Sequence, residues 1–138
     1  MIKPPFGTVC PRYHYAVELI GRRWAGAIIR MLLAEPRRFV ELAASIPDLS
    51  DRMLAERLRE LEQEGIVVRT VIPEIPVRIE YALTPKGRAL EASIRALGEW
   101  AEKWLPTDIA ERSTSGSPSP SSVTAAKGHG KAARTARR

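Results

Sequence analysis

The run Ser50-Asp51-Arg52-Met53-Leu54-Ala55-Glu56-Arg57-Leu58-Arg59-Glu60-Leu61-Glu62-Gln63-Glu64-Gly65 carries its own beginning, end and orientation. Ser50 is placed as an N-cap, its hydroxyl accepting a backbone N–H bond, and Gly65 supplies the residue type that closes helices. The spacing predicts a helix over Asp51 to Glu64, about 21 Å long at roughly 1.5 Å per residue. Turning about 100° per residue from Leu54, Leu58 falls near 40° and Leu61 near 340°, so these leucines form an inward stripe. Arg59 near 140°, Arg52 near 160°, Gln63 near 180° and Glu56 near 200° make the opposite face polar and mixed in charge. A merely solvated face accounts for that stripe as readily as a binding one, so the flanking elements must arbitrate.

Upstream, three short helices are predicted. Tyr13 to Ile20 is closed by Gly21; Trp24 to Ala34 repeats Trp24, Ile28 and Leu32 before Pro36; a third puts Phe39, Leu42, Ala43 and Ile46 on one stripe and ends before Pro47. The short link Pro47-Asp48-Leu49 joins the third helix to the Ser50-capped one. This is a helix-turn-helix arrangement, whose second helix can lay its N-terminal half in a DNA major groove. Downstream the period changes to two. Val67 to Ile72 is rich in β-branched residues, and Val77, Ile79, Tyr81 and Leu83 alternate with Arg78, Glu80 and Ala82, with Pro73-Glu74-Ile75-Pro76 as the hairpin tip. Thr84-Pro85 caps a last helix reaching Trp104. The expected order is α, α, α, α, β, β, α: a mainly α fold with a small β-hairpin, a winged helix-turn-helix.

The wing gives the charged face its meaning. Arg52 and Arg59 are the candidate base readers, because the planar guanidinium fork can bond guanine O6 and N7 together, which contributes roughly 1–3 kcal/mol of discrimination. Ser50, Asp51, Ala55 and Glu56 share the N-terminal part of that helix; Glu56 is expected to hold Arg52 or Arg59 through an i to i+3 or i+4 pair, the alternative being acceptance from cytosine N4. Arg69 and Arg78, expected near the wing tip, can reach phosphate or a minor groove, and Arg37 and Arg38 can clamp another phosphate.

The whole chain has 138 residues, 22 Lys and Arg against 16 Asp and Glu, and a net charge of +6. Residues 1–106 hold 16 basic and 14 acidic side chains (+2), and residues 107–138 hold 6 and 2 (+4). The expected organisation is an arm over residues 1–9, one domain over residues 10–106, and a disordered Ser/Pro-rich then basic tail over residues 107–138. That tail is either a phosphate-touching arm or a solubilising appendage. With Cys10 the single cysteine and His14 and His129 far apart, no disulfide framework and no multi-cysteine metal site is expected. No signal-like or membrane-spanning apolar run is found, so the expected compartment is the cytoplasm, without membrane partners. No P-loop, GxGxxG or Ser/His/Asp set is present, so neither enzyme activity nor a cofactor is expected.

The segments Cys10-Pro11, Ile20-Gly21-Arg22-Arg23-Trp24, Pro36-Arg37-Arg38-Phe39, Ser50-Asp51-Arg52-Met53-Leu54, Arg57 to Gly65 and Pro76 to Gly87, in that order and spacing, resemble the HxlR-type bacterial transcription regulators. The resemblance covers about Cys10 to Trp104. It implies a winged helix-turn-helix homodimer that binds inverted-repeat double-stranded DNA and controls transcription as a repressor or activator. Some members sense electrophiles, quinones or oxidants through a cysteine near the N-terminus, and Cys10 occupies that position. The long basic tail and His14-Tyr15 depart from the family pattern.

In the last helix Leu90, Ile94, Leu97, Ala101 and Trp104 recur at intervals of four and three, with Trp100 beside them, as in a helix-pairing seam. Together with Tyr13, Val17 and Ile20 of the first helix they are the candidate dimer interface; packing within one chain is the competing account. Cys10 is either an inert small side chain or a sensor of a small effector, its thiolate favoured by the helix N-terminus and by Arg12 or His14. The tryptophans could instead line an apolar ligand pocket. The main reading is a sequence-specific dimeric regulator; a nonspecific, architectural DNA binder using the basic tail is the alternative.

Overall fold

The computed structural model describes residues 6–109. Of the expected arm only Phe6 to Val9 fall within that range, and of the expected tail only Thr107 to Ile109; the remainder of both lies outside the described residues. The chain divides into two compact units, Met1–Lys103 and Trp104–Arg138. The elements are α1 (Pro11–Gly21), α2 (Ala25–Ala34), β1 (Arg37–Arg38), α3 (Phe39–Ser45), α4 (Asp51–Gln63), β2 (Val67–Ile72), β3 (Arg78–Leu83), α5 (Pro85–Arg88) and α6 (Glu91–Trp104).

Local chemistry sets most boundaries. Ser50 caps α4 by accepting from the Met53 N–H at 3.2 Å, and Gly65 follows the helix with φ +72°. Thr84 Oγ1 likewise accepts from the Gly87 N–H at 3.1 Å, with Pro85 at the first helical position. Pro11 does the same for α1, which therefore starts two residues before the expected Tyr13. Trp24 is not helical: it stands before α2 with φ +74°, a left-handed turn imposed on a large side chain.

The core lies where α2, α3, α4 and the sheet converge. Ile28, Ile29, Leu32, Leu42, Leu54, Leu58 and Leu61 are all but completely buried, joined by Ile66, Val67, Tyr81, Leu83 and Ile94. Ile46 is buried too, but from the extended residue after α3 rather than from the helix stripe.

The structure also corrects the sequence reading of the hairpin, the last helix and its seam. The hairpin is part of a three-stranded antiparallel sheet ordered β1-β3-β2, because Arg37 and Arg38 pair with Tyr81 and Glu80. The last helix is two helices: α5 is one turn, and Leu90, expected on the helix seam, lies in the break. Within α5, Gly87 sits so close to the Ile66 carbonyl that a Cβ would stand 2.3 Å from it, so the chain must pass at this point without a side chain. Ile94, expected at the dimer seam, faces the chain's own core instead. Among the described residues no helix is long and apolar enough to cross a membrane.

Candidate nucleic-acid interface

The leucine stripe seats α4 on the core and turns its other side outward, where Arg52, Ala55, Glu56 and Arg59 line one shallow concavity. Arg52 and Arg59 are seven residues apart, about 10.5 Å along the helix axis, or roughly three base-pair steps. The expected pairing of Glu56 with either arginine is not formed: among the described residues Arg52, Arg59 and Arg69 hold no carboxylate. Their guanidinium donors are free to bond an incoming acceptor without first leaving a partner. Asp51 occupies the first turn of α4 beside the Ser50 cap, where a carboxylate is favoured by the helix dipole.

The other arginines are already engaged. Arg37 reaches Glu35 at 3.4 Å, Arg78 reaches Glu74 at 3.5 Å, and Arg38 Nε donates to Glu41 at 3.1 Å. The Nε atoms of Arg37 and Arg78 are buried donors with no acceptor. The Arg38 backbone N–H also donates to Glu41, and this bond, then the side-chain one, holds the Glu41 carboxyl below the usual glutamate range. The carboxylates of these pairs are solvated, so exchange of a carboxylate for a phosphate costs little.

Strand alternation also separates residues that the sequence groups together. Arg37 and Arg69 both pair with Tyr81, on opposite edges of β3, whereas Arg38 pairs with Glu80. Arg37 and Arg38 therefore project from opposite faces of the sheet and cannot close on one phosphate as a clamp. Arg69 stands at the third of six ladder pairs, not at the tip; Arg78, opposite Ile72, is the tip-side arginine. The tip presents Ile75 and Val77, both well exposed.

Helix α1 contributes no fully buried residue. Tyr13 is 72% exposed, Val17 49%, Leu97 59% and Trp100 53%, while Ile20 and Leu90 are partly buried against the core. Cys10 is a free thiol, partly exposed, immediately before α1. His14, one of its expected cationic neighbours, lies 3.7 Å from Glu18.

Sequence reasoning passed over Arg57 and Glu60 of α4 and Glu64, the residue that ends it. They read there as ordinary helix charge, yet all three make contacts outside α4: Arg57 Nε donates to the Arg23 carbonyl at 2.8 Å, Glu60 meets Arg22 at 3.1 Å, and Glu64 accepts from the Tyr15 hydroxyl. That bond, and then the Glu64 charge, raise the Tyr15 pKa. The available signal was their position on one flank of the leucine stripe.

Comparison with known proteins gives a consistent picture. Residues 19–109 match the HxlR-like helix-turn-helix family. The chain is 50% identical over 97 residues to the uncharacterized HTH-type transcriptional regulator YvaP of Bacillus subtilis, covering 70% of this chain and 90% of that protein. It is 48% identical over 97 residues to the HTH-type transcriptional regulator YodB of the same organism, covering 70% and 87%. The structure of reduced YodB superposes with a TM-score of 0.65 over 71% of this chain and 96% of that one. YodB has also been solved diamide-treated, with a TM-score of 0.61 over 72% and 98%, and quinone-bound, with 0.61 over 70% and 100%. The redox regulator HypR in its oxidized form matches at 36% identity with a TM-score of 0.67, over 71% and 100%.

Proposed function

The chain belongs to the HxlR-like helix-turn-helix family, and from that premise we propose that it is a cytoplasmic, homodimeric, sequence-specific regulator of transcription whose α4 reads the major groove of an inverted-repeat operator. The observation that carries this reading is the pair of unpartnered guanidinium groups, Arg52 and Arg59, on the exposed side of a helix whose other side is locked into the core by Leu54, Leu58 and Leu61. A rigid helix with free donors is what base readout requires, since a side chain already satisfied by a carboxylate gains less from a base. Arg38, Arg69 and Arg78 then serve the phosphates beside it, and their exchangeable or absent partners suit that task.

The dimer is supported by the apolar side chains that one copy leaves uncovered on α1 and α6, chiefly Tyr13, Val17, Leu97 and Trp100. Two-fold pairing through them places two α4 helices about 34 Å apart, one turn of DNA. Signal reception is assigned to Cys10. Its support is its partial exposure beside α1 and the relation to YodB, solved reduced, diamide-treated and quinone-bound, and to the redox regulator HypR. An electrophile or oxidant that modifies the thiol releases the operator.

Selection of bound sequences from random DNA tests the reading. A palindromic consensus is expected, and Arg52→Ala or Arg59→Ala is expected to cost about 1–3 kcal/mol on the selected site while relaxing preference at one base position in each half. Enrichment without consensus, with binding lost when residues 124–138 are deleted, would instead establish the nonspecific, tail-driven binder. Diamide is expected to release the operator from the wild-type protein and not from Cys10→Ser; equal release from both removes the sensor assignment.

A further inference from the structure

Helix α4 has three longitudinal faces, not two. Beside the leucine stripe and the DNA face, Arg57, Glu60 and Glu64 fall at about 300°, 240° and 280° from Leu54, a third stripe one turn apart at each step. Each of them is tied to α1 or to the elbow that follows it. Arg57 Nε donates to the Arg23 carbonyl at 2.8 Å while its Nη1 donates to both Glu60 oxygens at 3.2 and 3.1 Å. Glu60 also takes Arg22 at 3.1 Å, so one carboxylate bridges two arginines from different elements. Glu64 accepts from the Tyr15 hydroxyl, and its backbone carbonyl accepts from Lys86 Nζ at 2.6 Å. The elbow itself is stiffened by the left-handed Trp24, with Arg23 lying 5.0 Å from the centre of its ring.

We propose that this polar stripe is the mechanical link between the dimer-forming α1 and the DNA-reading α4, with Arg57 as its central positioning residue, and that it thereby sets which half-site spacing the dimer accepts. The inference rests on the dimer reading above and goes beyond it by naming the residues that fix the geometry. The physical reason is that α1 has no fully buried residue and meets the core only through the partly buried Leu19 and Ile20 at its C-terminal end, so apolar packing fixes its angle weakly. Burial of apolar surface is non-directional, whereas hydrogen bonds hold their donors and acceptors within narrow angles. Arg57 and Glu60 are only 15% and 23% exposed, which spares their bonds most of the screening that weakens surface pairs. Tyr15 lies five residues beyond Cys10, about 7.5 Å along the helix, so a displacement at the start of α1 reaches Glu64 through one rigid turn and a half.

The test uses operators whose two half-sites are separated in steps of one base pair, each step rotating one half-site by about 34° and moving it about 3.4 Å. The wild-type protein is expected to prefer one spacing over its neighbours by about tenfold or more. Arg57→Met, which keeps the packing of the stem, and Tyr15→Phe, which removes a single exposed hydroxyl, are expected together to flatten that preference to about threefold or less, with an isolated half-site bound as before. Arg57→Lys, which can still donate to the Arg23 carbonyl, is expected to restore part of it. An unchanged spacing profile in both variants overturns the proposal, and so does an equal loss of affinity at every spacing, which is the mark of a merely structural role. A wild-type protein that shows no spacing preference, or that sediments as a monomer on DNA, refutes the underlying dimer reading instead; the two failures are told apart by these wild-type measurements.

Discussion

Two apolar systems in this chain are written with the same helical period and end in opposite states. Around α4, Leu42, Leu54, Leu58 and Leu61 are sealed within one copy, with almost no surface left to water. On α1 and α6, Tyr13, Val17, Leu97 and Trp100 remain about half exposed or more. Periodicity identifies an apolar face; it does not say which body covers it. A face that four elements surround becomes core, and a face at the margin of the fold stays available for a second copy.

The contrast predicts different outcomes for substitutions that look alike on paper. The largest effect is expected for Leu58→Ala, which opens a cavity in the sealed system and should cost about 2–5 kcal/mol in denaturant unfolding, taking DNA binding down with it. A loss below about 1 kcal/mol would mean that the core is less closed than its burial indicates. Trp100→Glu should leave unfolding of the single copy within about 0.5 kcal/mol of wild type. Its effect should appear in sedimentation, as a dimer dissociation constant raised by about 30-fold or more. Equal destabilisation of the monomer would place Trp100 with the core and erase the distinction between the two systems.

The smallest effect concerns the contact between the two systems. Tyr15 has its pKa raised in the folded chain, chiefly by the bond to Glu64, so the contribution of this bond is fully present below the ordinary tyrosine value near 10. It is lost as pH rises through the raised folded value. Wild type should therefore lose a small increment of stability in that alkaline window that Tyr15→Phe does not lose, measured as the difference between their unfolding midpoints. Parallel curves across the window would show that the bond contributes nothing.

Much of the fold was legible because its punctuation is local. Ser50, Gly65 and Thr84-Pro85 mark helix ends through interactions within three or four residues, and the alternation from Val77 to Leu83 shows β3 one residue early. What escaped was non-local. Two arginines carry no strand signal, and Arg37-Arg38 become β1 only because β3 lies alongside. The break between α5 and α6, at Ala89 and Leu90, contains no proline, and the close passage of Gly87 against the Ile66 carbonyl just before it joins residues twenty-one positions apart. For the candidate site, the wheel placed Arg52 and Arg59 on one outward face, but it could not show that Glu56 leaves them unpaired or that Arg57 turns away to the Arg23 carbonyl.

The amino-acid order alone determined the helix-turn-helix, the strands after it and the face on which the guanidinium groups lie, because caps, glycines and apolar spacing act over a few residues of backbone. Only the tertiary structure decided which arginines hold a carboxylate, that Ile94 belongs to the core while Leu97 and Trp100 do not, and that α1 is tied to α4 by Arg22, Arg57, Glu60 and the Tyr15–Glu64 bond. Those outcomes depend on distances between residues far apart in the chain, and side chains of a few ångströms in reach are satisfied or left free according to what the packing brings beside them.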